Sequence, residues 1–192
     1  MVISKVAIVN QGLIKIGQAT ITSFDEPNSK SARLAKVVYD VLRQETLEGH
    51  PWNFALEWHT LGAIANFTHP KFSNAFQLPT GCLRPHQTDL PARTPWKVEG
   101  RRIVCDSSAL QAQCIMDITD ESWYSAYFIS TLATRIASEL AYSVANSATL
   151  KKQMFDEYLY MLKNARTFDA QGGGTADRVK ADGWLASRGS RI

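Results

Sequence analysis

The sequence predicts a mainly α (α+β) fold: a helical bundle of about four helices with a β-hairpin-containing insertion and an extended C-terminal tail. Four segments repeat apolar residues at helical spacing, four of the seven prolines fall within residues 79–95, and five of the eleven glycines fall within residues 172–189. Proline and glycine both oppose regular helix. We therefore expect a helical body formed by residues 1–75 and 119–166, a β-rich insertion at 76–118 and a flexible C-terminal tail at 167–192.

Composition excludes several classes of protein. The chain has 192 residues, 45% of them hydrophobic, which suffices for one domain with a buried core. Its net charge of +3 is too small for a protein whose main role is to neutralise many phosphates. Three cysteines fit neither a complete disulfide framework nor a Cys-x-x-Cys metal site. Because the chain shows no signal-peptide pattern and no run of roughly 20 apolar residues, we expect a soluble protein that is intracellular where it is made.

Two helices are predicted in the first 50 residues. The first runs from about Ser4 to Ile16, where apolar residues line one face, and Gly17 ends it in a left-handed conformation. Ser29 is placed to cap the second helix. Gly49 and Pro51 end that helix, since neither residue supports its continuation.

An aromatic segment follows the second helix. Pro51 forces Trp52 and Phe54 out of the helix and back over it. We expect Trp52, Phe54 and Trp58 to be buried against the bundle, because each offers a large apolar area. Together with Pro79, they are structural candidates that fix the angle at which the insertion leaves the helical body.

The insertion contains a predicted β-hairpin. Apolar residues recur at every second position on both sides of a Glu99-Gly100 turn, at Trp96 and Val98 and at Ile103 and Cys105. Residues 113–118 form a further predicted strand. Basic residues are interspersed here, either as a patch that touches a phosphate backbone or an acidic partner surface, or as a solvated hairpin face. These candidates are Arg84, Arg93, Lys97, Arg101 and Arg102.

Two more helices complete the body. Thr119 and Asp120 offer an N-cap for the longest helix, expected from about Glu121 to Ser147, where apolar residues recur every four positions. Ser147 is then placed to cap the last helix, which is expected to end near Arg166.

The sequence contains no spacing typical of a catalytic or metal site. The four histidines form no His-Glu-x-x-His pair, and neither a Gly-x-Ser-x-Gly elbow nor a phosphate loop is present. We therefore expect no catalytic residue, no cofactor and no metal ion. The alternative is a tail-associated cell-wall glycosidase that uses two carboxylates, since such hydrolysis needs a pair about 5 to 10 Å apart. Its candidate carboxylates are Asp117, Asp120, Glu121, Asp156 and Glu157.

Three short motifs lie in one order within residues 10–84. They are Asn10-Gln11-Gly12-Leu13-Ile14-Lys15-Ile16-Gly17, Leu47-Glu48-Gly49-His50-Pro51-Trp52-Asn53-Phe54-Ala55 and Leu78-Pro79-Thr80-Gly81-Cys82-Leu83-Arg84. This series resembles the head-to-tail adaptor family of short-tailed (podovirus-type) bacteriophages, called tail tubular protein A in some members. One departure is Gly81, where the family often carries aspartate.

The resemblance implies a structural protein of the virion and not an enzyme. Members of the family form a ring of identical subunits, twelve in number, beneath the portal of a filled head. The ring extends the DNA channel and provides the docking platform for the tail nozzle or needle. The expected partners are the portal protein, the nozzle or needle protein and further copies of the chain, with non-specific passage of double-stranded DNA and no membrane. The expected location is the head-tail junction of the virion, and the host cytoplasm during assembly.

The C-terminal tail is the candidate segment for binding the portal or a neighbouring subunit. Trp184 and Leu185 are its strongest apolar anchor, and basic residues flank them on both sides. A segment of this kind is expected to become ordered when it meets its partner. The partner-binding candidates are Arg178, Lys180, Trp184, Leu185, Arg188, Arg191 and Ile192.

Overall fold

A computed structural model describes residues 3–172 of the chain, which form an α+β fold with four helices and six strands. The helices are α1 (Lys5–Lys15), α2 (Lys30–Glu48), α3 (Ala126–Ala145) and α4 (Ala148–Gln171). The strands are β1 (Leu56–Thr60), β2 (Asn74–Gln77), β3 (Cys82–Thr88), β4 (Trp96–Glu99), β5 (Arg102–Cys105) and β6 (Gln111–Met116). Short 3-10 helices occur at Asn53–Ala55 and Glu121–Trp123.

The prediction of a helical bundle with a small hairpin insertion is wrong. The strands form two three-stranded antiparallel sheets, one in the order β1-β6-β3 and the other in the order β2-β5-β4. The predicted hairpin is present as β4 and β5, joined at Gly100 in a left-handed conformation. However, the first strand starts at Leu56, well before residue 76, and each sheet adds strands that the hairpin alone does not supply. The β structure is therefore a two-sheet unit and not an appended hairpin.

Strand β6 links the helices to this two-sheet unit. Its side chains alternate between two hydrophobic cores, as expected for a strand that is buried on both faces. Ile115 is fully buried with the helical core, whereas Ala112 and Cys114 are fully buried with residues of the second sheet. The molecule is thus layered, with the helices on one face of the first sheet and the second sheet on its other face.

Helix α3 is the centre of the helical body. Eleven of its residues are buried, including Phe128, Leu132, Ile136 and Leu140, because the other helices pack around it. Helix α1 approaches it closely: a Cβ atom added at Gly12 would lie 2.7 Å from the carbonyl oxygen of Ala133. Glycine at this position therefore sets the distance between the two helix axes.

Serine side chains begin all four helices. Ser4, Ser29, Ser125 and Ser147 each accept a hydrogen bond from a backbone N–H of the first turn, at 3.1 to 3.2 Å. The predicted caps Ser29 and Ser147 are confirmed. The helix predicted to run from Glu121 to Ser147 corresponds to α3, and its predicted start is wrong. Asp120 caps the short 3-10 helix, and α3 begins only after Ser125.

The other predicted helix ends differ in detail. Gly17 has a φ of 68°, which confirms the left-handed conformation expected after α1. Helix α4 continues to Gln171, five residues beyond Arg166. Residues 167–171 therefore belong to a helix and not to the tail, whereas residues 173–192 lie outside the described part of the chain.

The aromatic segment after α2 is only partly buried. Trp52 is fully buried, donates a hydrogen bond from its indole nitrogen to the carbonyl oxygen of Thr46 at 2.9 Å, and packs edge-on against Phe128. Phe54 is partly buried against the same core. Trp58 is 50% exposed, in contrast to the expectation of burial, because it lies in β1 opposite Gln113, beyond the part of the sheet that the helices cover.

Replacing Gly12 with alanine tests the close approach of α1 and α3. Alanine favours a helix over glycine by about 1 kcal/mol, but its Cβ would clash with the α3 backbone, so we expect Gly12→Ala to lower the free energy of unfolding by roughly 1–3 kcal/mol. Urea unfolding followed by circular dichroism measures this change. The control is Gly62→Ala, since no atom lies within 4 Å of the added Cβ and the backbone there is ordinary. A Gly12→Ala protein as stable as the control would contradict the close approach.

Candidate assembly interface

An apolar groove lies between α2 and α3, and α4 borders it where Phe155 flanks Arg135. Its wall on α2 and its floor on α3 enclose a volume of about 330 Å³. On the other side, the Phe155 ring of α4 lies 5.9 Å from the guanidinium carbon of Arg135. We call this surface the α2–α4 groove; it is lined by Val37, Val38, Val41, Leu42, Glu45, Arg135 and Glu139.

The walls of the groove are unusually exposed for apolar side chains. Val37 and Val41 are 73% and 64% exposed, and they are four residues apart, so they share one face of α2. Phe155 and Leu159 have the same spacing on α4 and are also exposed. Scattered exposed apolar residues are ordinary, whereas a contiguous apolar surface rimmed by polar groups marks a site of contact with another protein segment.

The floor of the groove is an ion-pair network centred on Arg135. The guanidinium donates to carboxylate oxygens of Glu45 and Glu139, each at 3.1 Å, and the rings of Phe155 and Tyr158 flank it. Burial alone would lower the pKa of Arg135, but the two carboxylates outweigh burial and raise that pKa, so the side chain stays charged.

Two carboxylates share this one guanidinium at the floor of the groove. The second positive charge comes from Lys151, which is half exposed and lies 4.0 Å from the other oxygen of Glu139. Exposed pairs at this distance contribute little energy and are readily exchanged for another partner. The groove therefore offers apolar walls together with carboxylates that can accept a basic residue.

Helix α1 lies on the side of the body opposite to the groove. It packs at Gly12 against Ala133 and Ala137 of α3. Arg135 lies two residues after Ala133, and Glu139 lies two residues after Ala137. Because each helical residue is rotated by about 100° from the one before, Arg135 and Glu139 point nearly opposite to the two alanines. Ile14 of α1 is 64% exposed, which places exposed apolar side chains on both sides of the body.

A polar cluster fastens the end of α4 to the segment after α2. The Asp169 carboxylate accepts a hydrogen bond from the backbone N–H of Asn53 at 3.2 Å and lies 3.1 Å from Nε2 of His50. Arg166 donates to the carbonyl oxygen of Gly49 at 2.8 Å. This cluster determines where the chain leaves the body at Gly172, next to the stacked rings of Tyr127 and Phe168, whose centroids are 4.2 Å apart.

The structure places the five basic candidates of the insertion in different surroundings. Arg84 donates to the carbonyl oxygen of Glu48, and Arg101 donates to the carbonyl oxygen of Pro79. The other three also differ from one another: Arg102 lies over the ring of Phe67, Lys97 pairs with Glu99, and Arg93 is exposed with a φ of 77°. All seven tail candidates, from Arg178 to Ile192, lie outside the described residues.

The candidate carboxylates of the glycosidase alternative mostly hold structural contacts. Asp117 accepts hydrogen bonds from Arg43 and from Gln44, the latter at 2.8 Å. Asp120 accepts from the backbone N–H of Ser122 at 2.9 Å, and Glu157 pairs with Lys15. One oxygen of Glu121 is buried without a partner among the described residues.

Residues 3–172 show neither a grouped set of metal ligands nor a membrane-spanning helix. In that range, no three His, Cys, Asp or Glu side chains are grouped so that they could hold a metal ion. The helices of the same range include none with the length and apolar character needed to cross a membrane.

The three sequence motifs coincide with junctions of the fold. The side chain of Asn10 accepts a hydrogen bond from the N–H of Ile21 at 2.8 Å and donates one to its carbonyl oxygen at 2.9 Å, which closes the loop after α1. Gly81 has a φ of 80° at the turn before β3, a backbone conformation that favours glycine. A scan against protein-family models and a search of curated proteins found no match to the chain. The resemblance to the adaptors therefore depends on these motifs.

The cluster at the end of α4 predicts a pH dependence of stability. Burial lowers the pKa of His50 from its ordinary value of 6.5; the hydrogen bond with Asp169 opposes this effect, and the charges of Arg166 and His86 add to it. The unfolded chain then binds more protons than the folded chain below about pH 6.5, so stability should fall as the pH decreases from 7.5 to 5.5.

Thermal unfolding at several pH values measures this dependence. His50→Gln should reduce the slope, and His86→Gln should reduce it separately, because burial also lowers the pKa of His86. Carboxylates such as Asp120, whose pKa is lowered from 3.8 by hydrogen bonds from Ser122, titrate below this window. A slope that is unchanged in His50→Gln would show that His50 does not contribute.

Proposed function

We propose that this chain is a head-to-tail adaptor of a short-tailed bacteriophage, which assembles as a ring beneath the portal. In this role it extends the DNA channel and provides the platform on which the tail nozzle or needle docks. The observation that carries the proposal is the α2–α4 groove, an exposed apolar surface of the helical body, together with the exposed Ile14 on the opposite side. The motif series at the junctions of the fold supports the choice of this family.

Opposite apolar surfaces are what a ring of identical subunits requires. A ring is built from head-to-tail contacts, in which one surface of each subunit meets a different surface of the next subunit. The α2–α4 groove supplies one surface, and the side of α1 with Ile14 supplies the other. A two-fold dimer, in contrast, needs only one self-complementary patch.

The two-sheet unit is the candidate platform for the nozzle or needle. It is attached to the helical body through β6, so a load on its outer surface is transmitted to the helices through a buried strand. Lys97 is an exposed side chain of this unit that pairs with Glu99, and Arg84 and Arg101 donate to backbone carbonyl oxygens of the chain. This distribution suits a conduit that lets DNA pass and does not hold it.

The C-terminal residues are the candidate portal anchor. The polar cluster around Asp169 fixes their starting point at Gly172, so each subunit would present its anchor at the same place in a ring. Trp184 and Leu185 supply apolar area and the neighbouring arginines supply charge-assisted hydrogen bonds, a combination that is common at protein interfaces.

We propose the adaptor in preference to the glycosidase because of the contacts of Asp117. A glycosidase uses one carboxyl group as a proton donor and one as a nucleophile or base, and both must face the substrate. Asp117 is instead tied to Arg43, whose side chain is almost completely buried, and to Gln44 of the same helix. Its removal would leave the guanidinium without its main partner, which indicates a structural role.

Ring formation with the portal is the first test. We expect the purified chain, mixed with the portal protein of the same phage, to form ring complexes that are visible by electron microscopy. Val41→Glu should prevent ring formation, because it places a further carboxylate beside Glu45 and Glu139 in the proposed subunit contact. Val98→Glu is the control, since Val98 is exposed on β4, away from the helical body. If the wild-type chain never forms a ring with the portal, the proposal is wrong.

Deletion of residues 173–192 tests the portal anchor. The truncated chain should retain its helical circular-dichroism signal, because α4 and its capping contacts are intact, but it should no longer bind the portal. Sedimentation of the mixture measures binding directly. Portal binding equal to that of the full chain would remove the C-terminal residues from the proposed mechanism.

A further inference from the structure

The α2–α4 groove is an open apolar surface within the described part of the chain. Val37, Val41 and Phe155 are exposed there, although α2 buries its other apolar residues in the core. Leaving apolar area in water is unfavourable. A segment that covers it would therefore stabilise the free protein.

The C-terminal segment has the composition that fits the groove. Residues 173–192 contain the adjacent apolar pair Trp184 and Leu185. The same segment has four basic side chains (Arg178, Lys180, Arg188 and Arg191) against two acidic ones (Asp177 and Asp182). An apolar pair with an excess of positive charge complements valine walls and a floor in which Glu45 and Glu139 share one guanidinium.

The length of the segment allows it to reach the groove of its own chain. Helix α4 rises about 1.5 Å per residue, so Phe155 lies about 26 Å from Gly172 along the helix. An extended chain covers up to about 3.3 Å per residue, so the stretch from Gly172 to Trp184 spans up to roughly 40 Å. The segment can therefore fold back along α4 with length to spare.

Mass action favours the groove of the same chain over that of another copy. A short tether gives an effective concentration in the millimolar range, whereas purified protein is normally studied at micromolar concentrations. We propose that Trp184 and Leu185 dock into the α2–α4 groove of their own chain, with Trp184 against Val37, Val41 and Phe155.

This contact gives the free subunit a means of regulating its own assembly, a consequence that rests on the proposed function. With the groove covered, one of the two surfaces needed for head-to-tail contact is closed. Binding of the C-terminal segment to the portal removes Trp184 and Leu185 from the groove and opens it to the next subunit. Portal binding and ring formation are then coupled through a single exchange of partners.

Covalent footprinting of the isolated, full-length chain tests the proposal without any portal. A carbene or hydroxyl-radical reagent labels exposed side chains, and mass spectrometry measures the label on Val37, Val41 and Phe155. The double variant Trp184→Ala/Leu185→Ala should increase labelling of these three residues several-fold. Trp184→Phe should restore most of the protection, because phenylalanine keeps an aromatic anchor. Ile14, on the opposite side of the body, is the internal control and should be labelled equally in all variants.

Two results would overturn the inference. One is equal labelling of the groove in the wild-type chain and in the double variant, which would show that the C-terminal pair does not cover it. The other is protection that disappears on tenfold dilution, which would show that a second copy supplies the segment. A protected groove in a protein that forms no ring with the portal would refute the proposed function alone. A ring-forming protein whose groove is unprotected in isolation would refute this inference alone.

Discussion

Burial of α3 on nearly all sides is the constraint on which the rest of the structure depends. Its apolar residues do not follow a single stripe, so one neighbouring helix is not enough to cover them. Helix α1 covers the side with Ala133 and Ala137, while α2, α4 and the aromatic cluster around Trp52 cover the rest. Arg135 and Glu139 are the charged residues of α3, and the more buried Arg135 is compatible with this packing because Glu45 and Glu139 compensate its charge. The groove is thus a direct result of how α3 is packed.

Local signals in the sequence predict several elements of this fold. Ser29 and Ser147 cap helices because a serine hydroxyl satisfies free N–H groups of the first turn, which needs no knowledge of tertiary structure. Gly17 and the Glu99-Gly100 turn are predictable for the same reason, since a left-handed backbone favours glycine. Local signals do not predict the strands β1 and β3. Pro85 makes β3 look like a loop, yet proline is tolerated there because β3 is an edge strand with irregular register on either side of it.

The sequence predicts less of the α2–α4 groove than of the helix caps and turns. Helical periodicity places Val38 and Val41 on a stripe beside the buried face of α2, but it does not reveal which stripe a neighbouring helix covers. That depends on the position of α4, which is fixed by long-range contacts such as those of Asp169 with His50 and Asn53. Arg135 has no sequence signal of its own, because the partner Glu45 is ninety residues away. The tail candidates remain a prediction from composition.

Strand β6 couples the two hydrophobic cores of the protein, so that we expect them to unfold together. A helical core and a two-sheet core are separate hydrophobic clusters, and separate clusters often melt at different temperatures. Here Ile115 completes the first cluster, while Ala112 and Cys114 of the same short strand complete the second. Neither cluster can release β6 and keep its own apolar surface covered. We therefore expect the chain to unfold as a whole, so that partly melted copies with an intact groove are rare.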